Sequence, residues 1–181
     1  MNNTKDTTVI ILAAGKGSRM NSDIPKVLHE INNKSLIMHV IDSAKKIYPK
    51  QIIVIVGFKK QLVKDNLKNN NLKFVEQTEQ LGTGHAIKMC LPELKKINGN
   101  VLILSGDVPL IKPETLNTFI DLHNKNECLA SLITTDLKNP KGYGRIIKED
   151  NKFVEIKEHK DATDTEKKIK EINSGIYIFN S

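Results

Sequence analysis

Tryptophan is absent from this chain, and all aromatic residues together make up 4% of it. Stacking of single-stranded bases on aromatic rings therefore has few residues to use. Arginine is almost absent too: of 28 basic residues only Arg19 and Arg145 are arginine. The net charge of +7 comes from lysines scattered among many asparagines. That is the pattern of a solvated surface, not of a basic stripe tracking a nucleic acid. The two cysteines, Cys90 and Cys128, have no metal-ligand spacing and read as small buried apolar residues in a reducing cytosol. The five histidines fit no zinc template. No apolar run nears the ~20 residues that span a bilayer, and no secretory signal follows the N-terminus. A soluble, cytoplasmic chain is expected, with neither nucleic acid nor membrane as partner.

What is present is an alternation of apolar strands and amphipathic helices. Strands are predicted at 7–14, 51–57, 72–77, 101–107 and 128–136. Helices are predicted at 36–47, 58–68, 82–94 and 113–125. In the first helix Leu36, Ile37, Val40, Ile41, Ala44 and Ile47 share one face. This β-α-β-α-β-α-β-α-β order implies an α/β fold: a Rossmann-like, doubly wound, mostly parallel sheet with helices on both faces. In such sheets, ligands bind where the carboxyl ends of the strands open into loops. After Asp136 the pattern changes. Two alternating segments flank Asp150-Asn151, as in a hairpin, then come a polar stretch and a last strand. This predicts an antiparallel flap. The expected division is a nucleotide-binding α/β core at 1–136 and a sugar-binding antiparallel part at 137–181. The chain stops two residues after an apolar strand, so further sequence is expected.

The unusual residues gather in the loops that this topology puts on the ligand edge. "ILAAGKGSRMNSDIPK" (11–26) leaves the first strand for glycine and cations. It is not a Walker loop. It is not a dinucleotide fingerprint either, because Met20 stands where the third glycine belongs. Backbone N–H groups around Ala14, Gly15 and Gly17 can form an anion-binding nest, and Arg19 and Lys26 add charge for a triphosphate. Pro25 stiffens the backbone that aims Lys26. Both arginines sit in glycine-containing turns, where a guanidinium fork suits phosphate.

Asp107 in "SGDVP" is, by itself, an ordinary turn residue. Beside an anion loop it becomes a candidate ligand for Mg²⁺ carried on substrate phosphates. "EQTEQLGTGHA" (76–86) offers Gln side chains, which both donate and accept as the edge of a uracil requires. It can equally be a polar loop capping the next helix through Thr83. "GYGR" (142–145) is either a close approach over a sugar or a bend into the hairpin.

Taken together, "LAAGKGSRMNSDIPKVLHEI", "EQTEQLGTGHA", "LSGDVPLI", "NPKGYGRII", "EHKDAT" and "EINSGIY" resemble the sugar-1-phosphate nucleotidyltransferases. In that order they are similar to the uridylyltransferase half of the bacterial bifunctional N-acetylglucosamine-1-phosphate uridyltransferase / glucosamine-1-phosphate N-acetyltransferase family. The resemblance implies the nucleotide-diphospho-sugar transferase fold. It also implies that UTP and N-acetylglucosamine 1-phosphate react to give UDP-N-acetylglucosamine and pyrophosphate, with Mg²⁺ as cofactor. By motif position it places Leu12, Ala13, Ala14 and Gly15 on the nucleotide, and Arg19 and Lys26 on the phosphates. Gln77, Gly82 and Thr83 fall on the uracil, and Ser105, Gly106 and Asp107 at the ribose and metal. Gly144, Glu158 and Asn173 fall on the amino sugar. Arg19, Lys26 and Asp107 would be the catalytic residues.

Two local departures stand out: Ser105 replaces a usual tyrosine, and "NKSL" replaces the usual glycine-lysine-proline before the first helix. In the family the domain continues, supplies a second Mg²⁺ ligand (an asparagine), and leads into a left-handed β-helix that carries acetyl transfer and trimerisation. An incomplete domain without that β-helix is expected here, and a homotrimer only for the full-length family. Other readings are a nucleotidyltransferase for a different base or sugar, and a nucleotide-sugar binding chain without turnover.

Overall fold

The computed structural model describes residues 6–17, 20 and 22–180. The chain forms two compact units, residues 1–130 with 178–181, and residues 131–177.

The first unit is built on four parallel strands. In chain order its elements are β1 (Thr7–Ala13), β2 (Glu30–Ile31), β3 (Lys34–Ser35), α1 (Leu36–Lys45), β4 (Gln51–Val56), α2 (Lys60–Asn66), β5 (Lys73–Glu76), α3 (Thr83–Met89), α4 (Leu91–Leu94), β6 (Asn100–Ser105) and α5 (Pro113–Lys125). The parallel strands run in the order β5-β4-β1-β6. β1 lies between β4 and β6 and is covered on both faces, which is why it reads as an unbroken apolar run. Val9, Ile10 and Ile11 are fully buried, as are Ile53 to Val56 on β4 and Leu102 on β6. Each such side chain contributes roughly 1.5–3 kcal/mol over an exposed one. The apolar face of α1 is buried as the periodicity requires, from Leu36 and Ile37 to Val40, Ile41 and Ala44. The helix ends at Lys45, two residues early, and Tyr48 turns the chain with φ +52° before Pro49.

The register puts the strand tips level. Leu12 pairs with Ser105, Ala13 with Val56, and Val56 with Glu76. The pairing continues one step into the loops: Gly106 N donates to Leu12 O (2.9 Å), Phe58 N to Ala14 O (3.1 Å) and Gln77 N to Val56 O (2.8 Å). The loops after β1, β5 and β6 therefore leave from one edge.

The second unit contains β7 (Ala130–Asp136, from Ser131 on), β8 (Arg145–Glu149), β9 (Lys152–Lys157) and β10 (Glu171–Asn180, up to Tyr177). β8 pairs antiparallel with both β9 and β10. The β8–β9 turn has Asp150 and Asn151 both at positive φ, +49° and +61°. This is the conformation that matches strand twist in a two-residue hairpin, and Asp and Asn tolerate it.

Three expectations need correcting. The strand at 128–136 does not extend the parallel set; β7 pairs with β10. None of its side chains is fully buried, whereas the central parallel strands β1, β4 and β6 are buried over almost their whole length. The helix expected over 82–94 is two helices broken at Cys90. Pro92 cannot donate to the carbonyl of Lys88, so one continuous helix is not available. Cys90 is buried as expected, but Cys128 is only half buried; both are free thiols. Burial pushes the Cys90 thiol up to about 11. A short β2–β3 hairpin also appears where none was predicted, turning on Asn32 and Asn33 at φ +53° and +58°.

Candidate active site

The level strand tips enclose a cleft of about 430 Å³. Leu12 to Gly15 and Gly17 line one side of it, Lys26 and Val27 follow, and Ser105 and Asp107 come from the end of β6. Gln77, Gln80, Gly82, Thr83 and Ala86 complete the lining.

Lys26 is aimed by its neighbours. Pro25, at φ −49° and ψ +134°, starts a 3-10 turn over Lys26–Leu28 that fixes the direction of the lysine stem. Gly17 sits against that stem with φ +65°; a Cβ there would lie 2.7 Å from Lys26 Cβ. Only glycine both adopts this backbone freely and leaves the lysine room. The ammonium then meets Asp107, with Nζ 2.5 Å from Oδ2. These groups are 81 positions apart in sequence. The pair is partly solvated, with the two side chains 41% and 27% exposed, so both groups remain open to a ligand. Asp107 uses one oxygen in this pair, and its second takes no hydrogen bond from a described residue.

On the other wall, Gln77 is 4% exposed. Its Nε2 donates to Gly82 O (3.1 Å) and lies 3.0 Å from His85 Nδ1. Gly82 precedes α3 with φ +97°, and Thr83 makes no side-chain cap, so the loop is not organised as a Thr83 cap. Close contact at Gly57 holds this wall to the first loop. A Cβ there would lie 2.9 Å from Ala14 O and 3.0 Å from Gln77 O.

The second unit gathers its own three predicted residues. Gly144 is buried, and a Cβ on it would meet Ile156 Cγ2 at 2.8 Å, Glu158 Oε1 at 3.4 Å and Asn173 Cβ at 3.7 Å. Asn173 N donates to Gly144 O at 3.0 Å. Asn173 is held at both ends of its amide, donating to Tyr177 Oη (2.5 Å) and accepting from Gly175 N (2.9 Å).

Arg19 lies outside the described residues. Arg145 does follow a glycine-containing turn, but its fork does not serve the phosphate contact that such a turn suggested. It begins β8, is 1% exposed, and spends its guanidinium on internal partners. It donates to the carbonyls of Tyr143 and Lys167 and contacts His159 Nδ1. A rigid fork of donors can satisfy several backbone acceptors at once, which is a structural use of arginine. Gly17, expected in the anion nest, does line the cleft, while sequence reasoning left Val27, Gln80 and Ala86 out of the site residues. All three lie inside the chosen motifs; Val27 and Ala86 are small apolar residues, Ala86 buried on α3, and carry no polar group that marks them as site residues.

A parallel α/β sheet with a glycine-rich first loop, a lysine–aspartate pair and a polar third loop on one cleft defines a nucleotide-handling domain of the nucleotidyltransferase type. The chain belongs to the MobA-like NTP transferase domain family, whose profile matches residues 9–148. It is 49% identical over 183 residues to the bifunctional protein GlmU of Trichodesmium erythraeum, covering 95% of this chain and 39% of that protein. It is 50% identical over 173 residues to the GlmU of Picosynechococcus sp., covering 94% of this chain and 38% of that protein. The chain thus spans about two fifths of the length of these curated relatives. The same fold occurs in a UDP-glucose pyrophosphorylase crystallised with UDP-glucose. The TM-score is 0.76 at 20% identity, over 96% of this chain and 76% of that one. Among the described residues no helix is long and apolar enough to cross a membrane.

Proposed function

We propose that this nucleotidyltransferase domain transfers a uridylyl group from UTP to N-acetylglucosamine 1-phosphate, giving UDP-N-acetylglucosamine and pyrophosphate. The observation that carries the reading is the meeting of Lys26 and Asp107 in a cleft whose far wall is Gln77, Gly82 and Thr83. A phosphate of the sugar attacks the α-phosphorus of UTP in line. A new P–O bond forms, the α–β bridge breaks, and pyrophosphate leaves. No side-chain nucleophile is needed, because the sugar phosphate is one. The difficulty is bringing two anions together, so positioning and charge neutralisation dominate.

Each wall has a part in this reading. Leu12 to Gly15 let the nucleotide approach the backbone closely, and Lys26 moves from Asp107 onto the phosphates. Gln77, Gly82 and Thr83 hold the base, and Ser105 and Gly106 lie along the ribose. Gly144, Glu158 and Asn173 are proposed to contact the amino sugar. Asp107 is a sound donor for Mg²⁺, with one carboxylate oxygen uncommitted among the described residues. No cluster of three or more potential metal ligands occurs among the described residues, which suits an ion held mostly by substrate phosphates. That ion would neutralise charge on the triphosphate. The trimeric, acetyl-transferring assembly is proposed only for a protein as long as the GlmU relatives.

Pyrophosphate release from UTP and N-acetylglucosamine 1-phosphate, followed by a coupled assay with Mg²⁺ present, tests the reading. UTP is expected to be used in preference to CTP or dTTP. Lys26→Ala is expected to raise the barrier by about 2–4 kcal/mol, as for loss of one preorganised donor. Undiminished turnover in that variant, or preference for another nucleotide, would overturn the assignment.

A further inference from the structure

The proposed base-reading residue has its orientation decided by neighbours, and one of them has no part in the reading above. A primary amide presents a donor at one end and an acceptor at the other, so its value as a reader depends on which end faces the ligand. Gly82 O lies 3.1 Å from Gln77 Nε2, and a carbonyl oxygen can only accept. That carbonyl cannot turn aside, because it also takes the first-turn bond of α3 from Ala86 N, at 3.1 Å. The amide nitrogen is therefore committed to the Gly82 side. Its second contact, 3.0 Å away, is His85 Nδ1. With Nε2 donating, Nδ1 must offer its lone pair, and the ring must carry its proton on its own Nε2. Both amide N–H groups are then consumed inside the protein. Oε1 is the end left over, with no hydrogen bond from a described residue, in a side chain that lines the cleft.

We propose that His85, as the Nε2–H tautomer, is a positioning residue that locks Gln77 with its acceptor toward the base. It thereby favours a base edge bearing an imino N–H, as uracil does, over one bearing a lone pair there, as cytosine does. Cytosine would set two acceptors against each other, and a buried polar mismatch discriminates more strongly than a lost apolar contact. The inference rests on the reading that Gln77 meets the base, and it adds the group that makes Gln77 selective. His85 touches neither base nor phosphate in this account; it acts through the amide.

Two measurements test it. Long-range ¹⁵N–¹H spectra of the histidine-labelled chain should show the His85 ring with a proton on Nε2 and none on Nδ1; the opposite tautomer overturns the proposal whatever the ligand. Calorimetric titration of the chain and its variants with UTP and with CTP, at fixed Mg²⁺, gives the base preference. Wild type should favour UTP by tenfold or more. His85→Leu removes one of two anchors and should cut that ratio several-fold. His85→Asn, whose Oδ1 can stand where Nδ1 stood, should restore most of it. An unchanged ratio in His85→Leu, with UTP still bound, overturns the role of His85 and leaves the functional reading intact. A wild-type chain that binds UTP no better than CTP overturns the functional reading and this inference with it.

Discussion

Single residues decide whether this cleft can work, and the glycines do so by what they leave out. Gly17 combines positive φ with a 2.7 Å approach to the Lys26 stem, so the two residues fit only as a pair. Gly17→Ala is expected to cost about 1–2 kcal/mol from left-handed backbone alone. It must also push Lys26 away from its line to Asp107. The checks are a urea melt for the first effect and nucleotide affinity for the second, which should fall several-fold. Intact affinity with lowered stability would show that the lysine tolerates a shifted stem. Arg145 teaches the opposite lesson. Its type and its glycine neighbours suggested a ligand contact, yet it is buried and donates to backbone carbonyls. Residue type in a turn does not say which way the side chain goes; that depends on partners such as Lys167 O, 22 positions away.

At the scale of elements, α2 is tied to β5, the strand that leads directly into Gln77. Glu76, the last residue of β5, accepts from Lys60 Nζ (2.5 Å) and Lys64 Nζ (2.7 Å), one turn apart on α2. These two hydrogen bonds, Lys60 first, hold its carboxyl down at about 2, against an ordinary 4.5. A carboxylate whose folded value is depressed adds stability above its ordinary value, and that stability is lost as pH falls toward the folded one. The stability difference between wild type and Glu76→Gln should thus be full above about pH 4.5 and vanish near pH 2. Thermal melts across that window, at low and high salt, check it. The ion pairs are partly exposed, so salt should shrink the difference. A difference that persists at pH 2 would mean that Glu76 stabilises through packing.

Element by element, the parallel strands β1, β4 and β6 were plain in the sequence because burial on both faces leaves an unbroken apolar run. The helix α5 was plain at both ends, where Pro113 opens it and the pattern runs out at Lys125. The β8–β9 turn was legible from Asp150-Asn151, but the equivalent Asn32-Asn33 turn was passed over because two-residue strands carry no period to recognise. The pairing of β7 was not legible: its alternation says strand, while the choice of neighbour is made by a segment some forty residues on. The loops of the cleft were legible as motifs. The lock on Gln77 was not, since it needs the Gly82 carbonyl and the His85 ring in place before the amide has a direction.

Over the whole molecule, the lysines that sequence patterning assigns to a solvated surface still produce a field. The net charge is +7; exposed Lys16 and Lys59 lie in the loops after β1 and β4, and exposed Lys60 opens α2, on the edge that carries the cleft. Lys16 and Lys59 both stand over the Phe58 ring, 5.7 and 5.6 Å from its centre, which keeps two cations on that edge. None of the three lines the cleft itself. Their effect on a triphosphate should therefore appear in the encounter more than in the bound state. Screening lengths fall from about 30 Å at 0.01 M salt to about 8 Å at 0.15 M. Stopped-flow binding of a fluorescent UTP analogue should show association slowing several-fold across that range while dissociation changes little. Uridine, with no phosphates, should show neither effect. If dissociation instead carried the salt dependence, the charges that matter would be those in direct contact, Lys26 foremost, and the surrounding lysines would have no share in capturing the nucleotide.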